Sequence, residues 1–187
     1  MNIRIFIDMD GTLAEWKDVK SNKELYVKGY YEELKPNKYL LEETKKLIEE
    51  GKDIFILSSF LSDSKYALSE KNIWLDKHLP ELPREKRIFV PYGDLKYKYL
   101  PSKITAFDYL IDDHTKNLLD WKEAGGTGIK FLNGMNHIKG IWQGLLLKED
   151  ENISKEFTWI LDNRYKGNPV DSMINYEQKL DEIELEI

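Results

Sequence analysis

The sequence predicts a doubly wound, mainly parallel α/β sheet. Three observations carry that expectation. Short runs rich in Ile, Phe, Val and Leu recur at residues 3–7, 53–58, 87–91, 108–113 and 127–132, with helix-period segments between them. The runs are largely apolar instead of alternating, as strands are when both faces of a sheet are covered. Strands alternating with helices make parallel sheets with helical crossovers. Two of the runs also end in acids, Asp8 with Asp10 and Asp112 with Asp113. These ends are where open α/β sheets bind ligands.

The first run sets the chemistry. Residues 2–12 read NIRIFIDMDGT, an apolar strand that stops at two acids, a glycine and a threonine. Gly11 permits a sharp exit turn. Side chains two apart on a strand share a face, so Asp8 and Asp10 can look into one crevice. Such a pair repels itself, and burial adds a desolvation cost, so a cation or a shared proton must hold it. Hard oxygen ligands point to Mg2+.

Composition narrows the class. At 187 residues the chain suits one α/β domain with a small insertion. Its 28 basic and 34 acidic residues give a formal charge of −6, which argues against a polynucleotide partner. A small phosphorylated substrate is compatible, since a metal and one or two local cations suffice to hold it. No apolar run approaches the roughly 18 residues that a membrane span needs. The chain has no cysteine, which excludes disulfides and thiolate metal sites. With the first strand expected two residues from the start, no room is left for a signal peptide; the expected location is cytoplasmic.

After Thr12 comes a polar, aromatic insertion, residues 13–36, before a helix over residues 37–50 that Gly51 stops. A connection that long at the ligand end of a sheet reads as a small cap or lid. Trp16, Tyr26, Tyr30 and Tyr31 could stack on a planar base or form the core of that cap. The second strand, 53–58, ends in Ser58 and Ser59, whose hydroxyls are candidate phosphate contacts, with Ser59 in the adjoining loop. A helix over 62–79 follows, with Ser62 or Asp63 as its cap, and then a strand over 87–91.

A site that holds a phosphate beside acids would need a cation near this point. Lys96, Lys98 and Lys103 are candidates, and Lys96 stands nearest the strand end. The fourth strand, 108–113, repeats the grammar of the first. Asp112 and Asp113 are adjacent and so face opposite ways, and they need not play equal roles: one can meet a metal directly while the other orients a water or the lysine. A helix over 116–124 and a strand over 127–132 complete a core spanning residues 1–139. The extension, 140–187, shows helical patches at 142–147, 157–161 and 173–185 and no catalytic constellation, so self-association or a protein partner is its expected use. His78, His114 and His137 share no metal-ligand spacing.

Asp8-Met9-Asp10-Gly11-Thr12, then Ser58-Ser59, a lysine and Ile111-Asp112-Asp113, resemble the ordered motifs of the haloacid dehalogenase-like phosphatases. DMDGTLAEW, the Trp74-bearing segment after Ser58-Ser59 and LIDD resemble the 5′(3′)-deoxyribonucleotidase branch. The resemblance implies that Asp8 is the nucleophile and Asp10 the general acid/base. It assigns Lys96 to the motif lysine and Asp113 to direct Mg2+ ligation with Asp8 and the Asp10 carbonyl, leaving Asp112 behind. Gly11, Thr12, Ser58, Ser59 and Trp16 become the candidate phosphate and substrate contacts. The implied activity is Mg2+-dependent hydrolysis of a phosphomonoester through an aspartyl-phosphate, on a nucleoside or deoxynucleoside monophosphate. A sugar phosphate is the alternative substrate. A phosphorylatable receiver-type switch and a weakly catalytic interaction protein are the alternatives of other classes.

Overall fold

The computed structural model describes residues 3–136 and 142–165. Six parallel strands form one sheet in the order β3-β2-β1-β4-β5-β6. They are β1 (Arg4–Ile7), β2 (Asp53–Phe60), β3 (Arg87–Pro91), β4 (Asp108–Asp112), β5 (Thr127–Leu132) and β6 (Leu145–Lys148). The chain builds outward from β1 through β2 to β3, then returns to the other side of β1 as β4. The order therefore reverses between β1 and β4, and the crevice beyond their carboxyl ends is where such sheets take ligands. Asp8 continues the pairing, donating its N–H to the Ile111 carbonyl at 2.9 Å. That register brings the ends of the two acid-bearing strands side by side.

The apolar runs work because alternate residues feed two cores. Ile5, Ile7, Ile54, Ile56, Tyr109, Ile111, Ile129, Phe131, Leu145 and Leu147 belong to one, with α1 (Lys38–Glu49), α2 (Ala67–His78) and α4 (Ile153–Tyr165). Phe6, Leu57, Leu110 and Leu146 belong to the other, with Leu118 and Trp121 of α3 (Thr115–Glu123). A doubly covered sheet leaves no polar face, which is why the sequence lacks strict alternation.

Several boundaries move. β2 runs two residues past Ser58, so Ser59 lies in the strand and not in a following loop. α2 begins five residues later than expected, because Ser64, and not Ser62 or Asp63, accepts the N–H groups of Tyr66 and Ala67 (both 3.3 Å). The helical reading of residues 142–147 is corrected: Leu145–Lys148 is the sixth strand. Three consecutive leucines offer no period, and a short buried run cannot be told from a helix by pattern alone. Residues 157–161 are helical, within α4. The expectation for 173–185 falls outside the described residues.

The insertion is pinned at both ends. Glu15 donates its N–H to the Lys35 carbonyl at 2.7 Å, and the Asn37 N–H and Nδ2 reach the Leu13 and Thr12 carbonyls at 3.0 and 2.5 Å. Asn37 is thereby diverted from capping α1. The Glu149 carboxylate, just past β6, accepts from Tyr39 N and Leu40 N instead, at 2.8 and 3.1 Å. Tyr30, Tyr31 and Leu34 are buried in the first core, so the insertion's inner surface is continuous with it.

Candidate active site

Lys96, on the 3₁₀ turn Lys96–Tyr99 that follows β3, points across the ends of β1 and β4. Its Nζ donates to Asp8 Oδ1 at 2.5 Å and to Asp112 Oδ2 at 2.6 Å. Burial alone would lower the Lys96 pKa, but Asp112 and Asp8 outweigh it and hold the ammonium above its ordinary range. Lys98 and Lys103 take no part in this cluster.

Asp112 is fully buried and both its oxygens accept hydrogen bonds within the protein. Beyond Lys96, Asn117 Nδ2 donates to it at 2.9 Å and the His114 N–H at 2.8 Å. Burial still raises its carboxyl above the usual range. Asp113 lies one residue past β4 and faces the cavity. Burial, then Asp112 and Asp8, push its carboxyl up to about 8. Adjacent acids thus take different jobs, one gripping the lysine and one meeting the crevice.

Asp8, Asp112 and Asp113 each offer an oxygen within 4.8 Å of the others. All-carboxylate donors are hard ligands, suited to a divalent cation such as Mg2+. With Asp10 the site holds four carboxylates against two buried ammonium groups, Lys96 and Lys71. Two negative charges remain when all ionise, and that repulsion adds to the burial that raises the Asp113 carboxyl. A divalent cation fits this charge and this donor set.

Gly11 and Thr12, expected as phosphate contacts, brace the acids and are not among the residues that line the cavity. Their N–H groups are committed to the Ala14 and Met9 carbonyls at 2.8 and 3.2 Å, and the buried Thr12 hydroxyl accepts the Asp113 N–H at 3.0 Å. Gly11 has φ +79°, and a Cβ built there would lie 2.8 Å from Asp113 Cγ. Only glycine lets the turn pass this carboxylate. Asn133, at the end of β5, donates Nδ2 to the Gly11 carbonyl at 2.6 Å. Nothing in the sequence pattern marks that asparagine.

Lys71 of α2 is a second residue that sequence reading misses. Its Nζ is fully buried and donates to Asp10 Oδ2 at 2.5 Å and to Ser58 Oγ at 3.1 Å. Asp10 and Ser58 therefore stand together beside Asp8. Burial raises the Asp10 carboxyl against the pull of Lys71.

Asp8, Asp10, Ser58, Ser59, Asp112, Asp113 and Trp16 all line one cavity of about 840 Å³. Its lining includes the aromatics Tyr26, Tyr31, Phe60 and Tyr92 and the polar residues His114, Lys116 and Asn117. Burial, then Asp10, push the Tyr30 hydroxyl up to about 12. Tyr31 lies edge-on to Tyr30, 5.0 Å between centroids, and Trp16 lies 6.4 Å from Tyr30. The insertion's aromatics are thus divided: some are core, and some face the cavity.

A parallel sheet with two acid pairs and a buried lysine at its switch point agrees with the haloacid dehalogenase-like phosphatases. A model of the family described as 5′ nucleotidase, deoxy (pyrimidine), cytosolic type C protein (NT5C) matches residues 20–149. The chain belongs to that family. The matched stretch starts after Asp8 and Asp10, so their place rests on the strand and site geometry.

Among solved structures, the D,D-heptose 1,7-bisphosphate phosphatase of B. bronchiseptica, complexed with magnesium and phosphate, aligns at TM-score 0.61 and 12% identity, over 87% of this chain and 99% of that one. The corresponding Burkholderia thailandensis enzyme aligns at 0.57 and 11%, over 85% and 99%. A Pseudomonas syringae hydrolase aligns at 0.54 and 15%, over 87% and 99%. These likenesses are of fold. No curated protein matches the chain significantly. Family membership sets aside the receiver-type reading: the chain is a phosphomonoester hydrolase. Among the described residues no helix is long and apolar enough to cross a membrane.

Proposed function

We propose that the protein hydrolyses a nucleoside monophosphate, with a deoxyribonucleotide as its preferred substrate, through an aspartyl-phosphate on Asp8. The observation that carries the chemistry is the placement of Asp8 and Asp10 at one cavity, each with its own buried lysine. Lys96 draws charge from Asp8 Oδ1 and leaves the other oxygen for attack on phosphorus, displacing the alcohol. Asp10 protonates the departing oxygen, then accepts a proton from the water that cleaves the phosphoenzyme. Ser58 orients a phosphoryl oxygen from its place beside Lys71. Asp8, the Asp10 carbonyl and Asp113 would hold Mg2+, which would offset the charge shared by nucleophile and phosphate.

The base preference is supported by the aromatic residues that line the cavity and by the family match. About 840 Å³ lies within the range of pockets that enclose a nucleotide-sized ligand. Stacking on Trp16 would be worth about 1–3 kcal/mol by analogy with single-strand binding. The polar residues of the lining make a sugar phosphate the second reading.

A Mg2+-supplemented screen of nucleotides, deoxynucleotides and sugar phosphates tests the proposal, followed by Trp16→Ala. A deoxynucleotide should give the highest specificity constant, and Trp16→Ala should erase that advantage while sparing small esters. Equal losses on all substrates would remove the base-stacking assignment.

A further inference from the structure

We infer that Lys71 is a positioning residue for the general acid: it fixes the orientation of the Asp10 carboxyl at the cavity and ties that orientation to the cap. The inference rests on the phosphatase reading above. Asp10 Oδ2 is held by Lys71 at 2.5 Å, whereas Oδ1 is buried without a hydrogen-bond partner among the described residues. Asp10 lines the cavity. The carboxyl is thus locked at one rotation, with Oδ1 turned inward and the 17% of the side chain that stays exposed left to meet the cavity. A carboxylate free to rotate would exchange the two oxygens; the buried ammonium prevents it.

Lys71 can do this because every side of its head is engaged. An ammonium has three donors. One goes to Asp10, a second to Ser58 Oγ at 3.1 Å, and the face of Tyr31 lies 5.3 Å from Nζ. Tyr31 belongs to the insertion, and the residue before Lys71 holds it there. The buried Glu70 carboxylate accepts from Gly29 N at 2.6 Å and Tyr31 N at 3.1 Å. One turn further along α2, Trp74 Nε1 donates to the Leu34 carbonyl at 2.7 Å. A single stretch of α2 therefore fixes the inner wall of the cap, the acid/base and the phosphate-side hydroxyl in one frame. A fully buried lysine is costly unless paired, so its position is rigidly determined.

The test compares phenyl phosphate with para-nitrophenyl phosphate, two esters of nearly the same shape. The phenol leaving group needs a proton from Asp10, and the nitrophenolate scarcely does. The constant read is kcat/KM, which excludes later hydrolysis of the phosphoenzyme. General acid catalysis contributes about 10²–10⁴-fold, so Lys71→Met should slow phenyl phosphate by ~10–100-fold and para-nitrophenyl phosphate by less than ~3-fold. In an Asp10→Asn background Lys71→Met should add nothing to that selectivity. Lys71→Arg should restore part of it.

Equal losses on both esters, or a matching rise in the inhibition constant of inorganic phosphate, would make Lys71 a phosphate ligand or a structural charge and overturn the inference. Lys71→Gln gives a second, smaller perturbation should the methionine variant fail to fold. If neither folds, the lysine is structural and the inference falls. A wild-type enzyme inactive on both esters refutes the phosphatase reading itself, a result distinct from an active enzyme whose Lys71 variants lose no selectivity.

Discussion

Lys96→Met removes the ammonium that bridges Asp8 and Asp112, and the size of the damage follows from what is left behind. Asp112 keeps the His114 N–H and Asn117 Nδ2 but loses its ionic partner in full burial. Breaking a buried ion pair from one side costs about 3–5 kcal/mol. A domain of 150–250 residues shifts by about 2–4 °C per kcal/mol, so the melting temperature should fall by ~6–20 °C.

The loss should depend on pH. Burial already raises the folded-state pKa of Asp112, and removing Lys96 raises it further. A carboxyl whose folded pKa exceeds its unfolded value binds more protons when folded, so stability falls as pH rises between the two values. The gap between variant and parent should therefore be wider near pH 8 than near pH 5. Thermal unfolding followed by circular dichroism, with chelator present, reads both quantities. A double variant, Lys96→Met with Asp112→Asn, should recover part of the loss by removing the stranded charge. Two results would refute the reasoning. One is a shift below about 2 °C, which corresponds to less than about 1 kcal/mol in a domain of this size. The other is the same shift at both pH values.

Asp8→Asn should keep the fold and its melting temperature while abolishing phosphate release, measured as liberated inorganic phosphate. Gly11→Ala must hold φ near +79° and push its methyl against Asp113; it should cost about 1–2 kcal/mol in backbone strain and weaken Mg2+ binding by calorimetry, with near-parental stability counting against the account. With the Asp113 carboxyl pushed up to about 8, Mg2+ held there as proposed would have to displace a proton below that pH. Apparent Mg2+ affinity should climb with pH and level off above about 8, and the metal-free protein should lose stability as pH rises from about 4 to 8. Affinity independent of pH would contradict that assignment.

The acids were legible because strand periodicity constrains them. Asp8 and Asp10 sit two apart past an apolar run and so can share a face, and Asp112 and Asp113 are adjacent and so face opposite ways. Lys96 could be picked out because it follows a strand end closely. Lys71 could not: it sits mid-helix in SEKNIW, where a lysine ordinarily reads as a solvated position. Its burial comes from the insertion folding over α2, a contact between residues some forty positions apart, as in the bonds from Glu70 to Gly29 and Tyr31. Asn133 and Glu149 were hidden for the same reason, since each acts on a distant backbone group. The turn at Gly11 was expected, but not that Thr12 would use its hydroxyl to hold Asp113. β6 has no signature of its own, because Leu145, Leu146 and Leu147 satisfy either period.

The roof over the cavity is also the outer layer of the hydrophobic interior. Tyr31 lines the pocket while only 3% exposed, and Leu34 beside it is 4% exposed and accepts the indole hydrogen bond of a fully buried tryptophan. In a detachable lid, residues could drift freely as new substrates were explored, with the scaffold untouched. Here a change that reshapes the inner roof also opens a void in the interior, and large-to-small changes at such sites cost about 2–5 kcal/mol, much of a domain's whole margin. Substrate choice along that wall is thus held in place by folding, and diversification should concentrate on the rim, where Trp16 and the exposed Tyr26 and Tyr92 can be exchanged without that penalty.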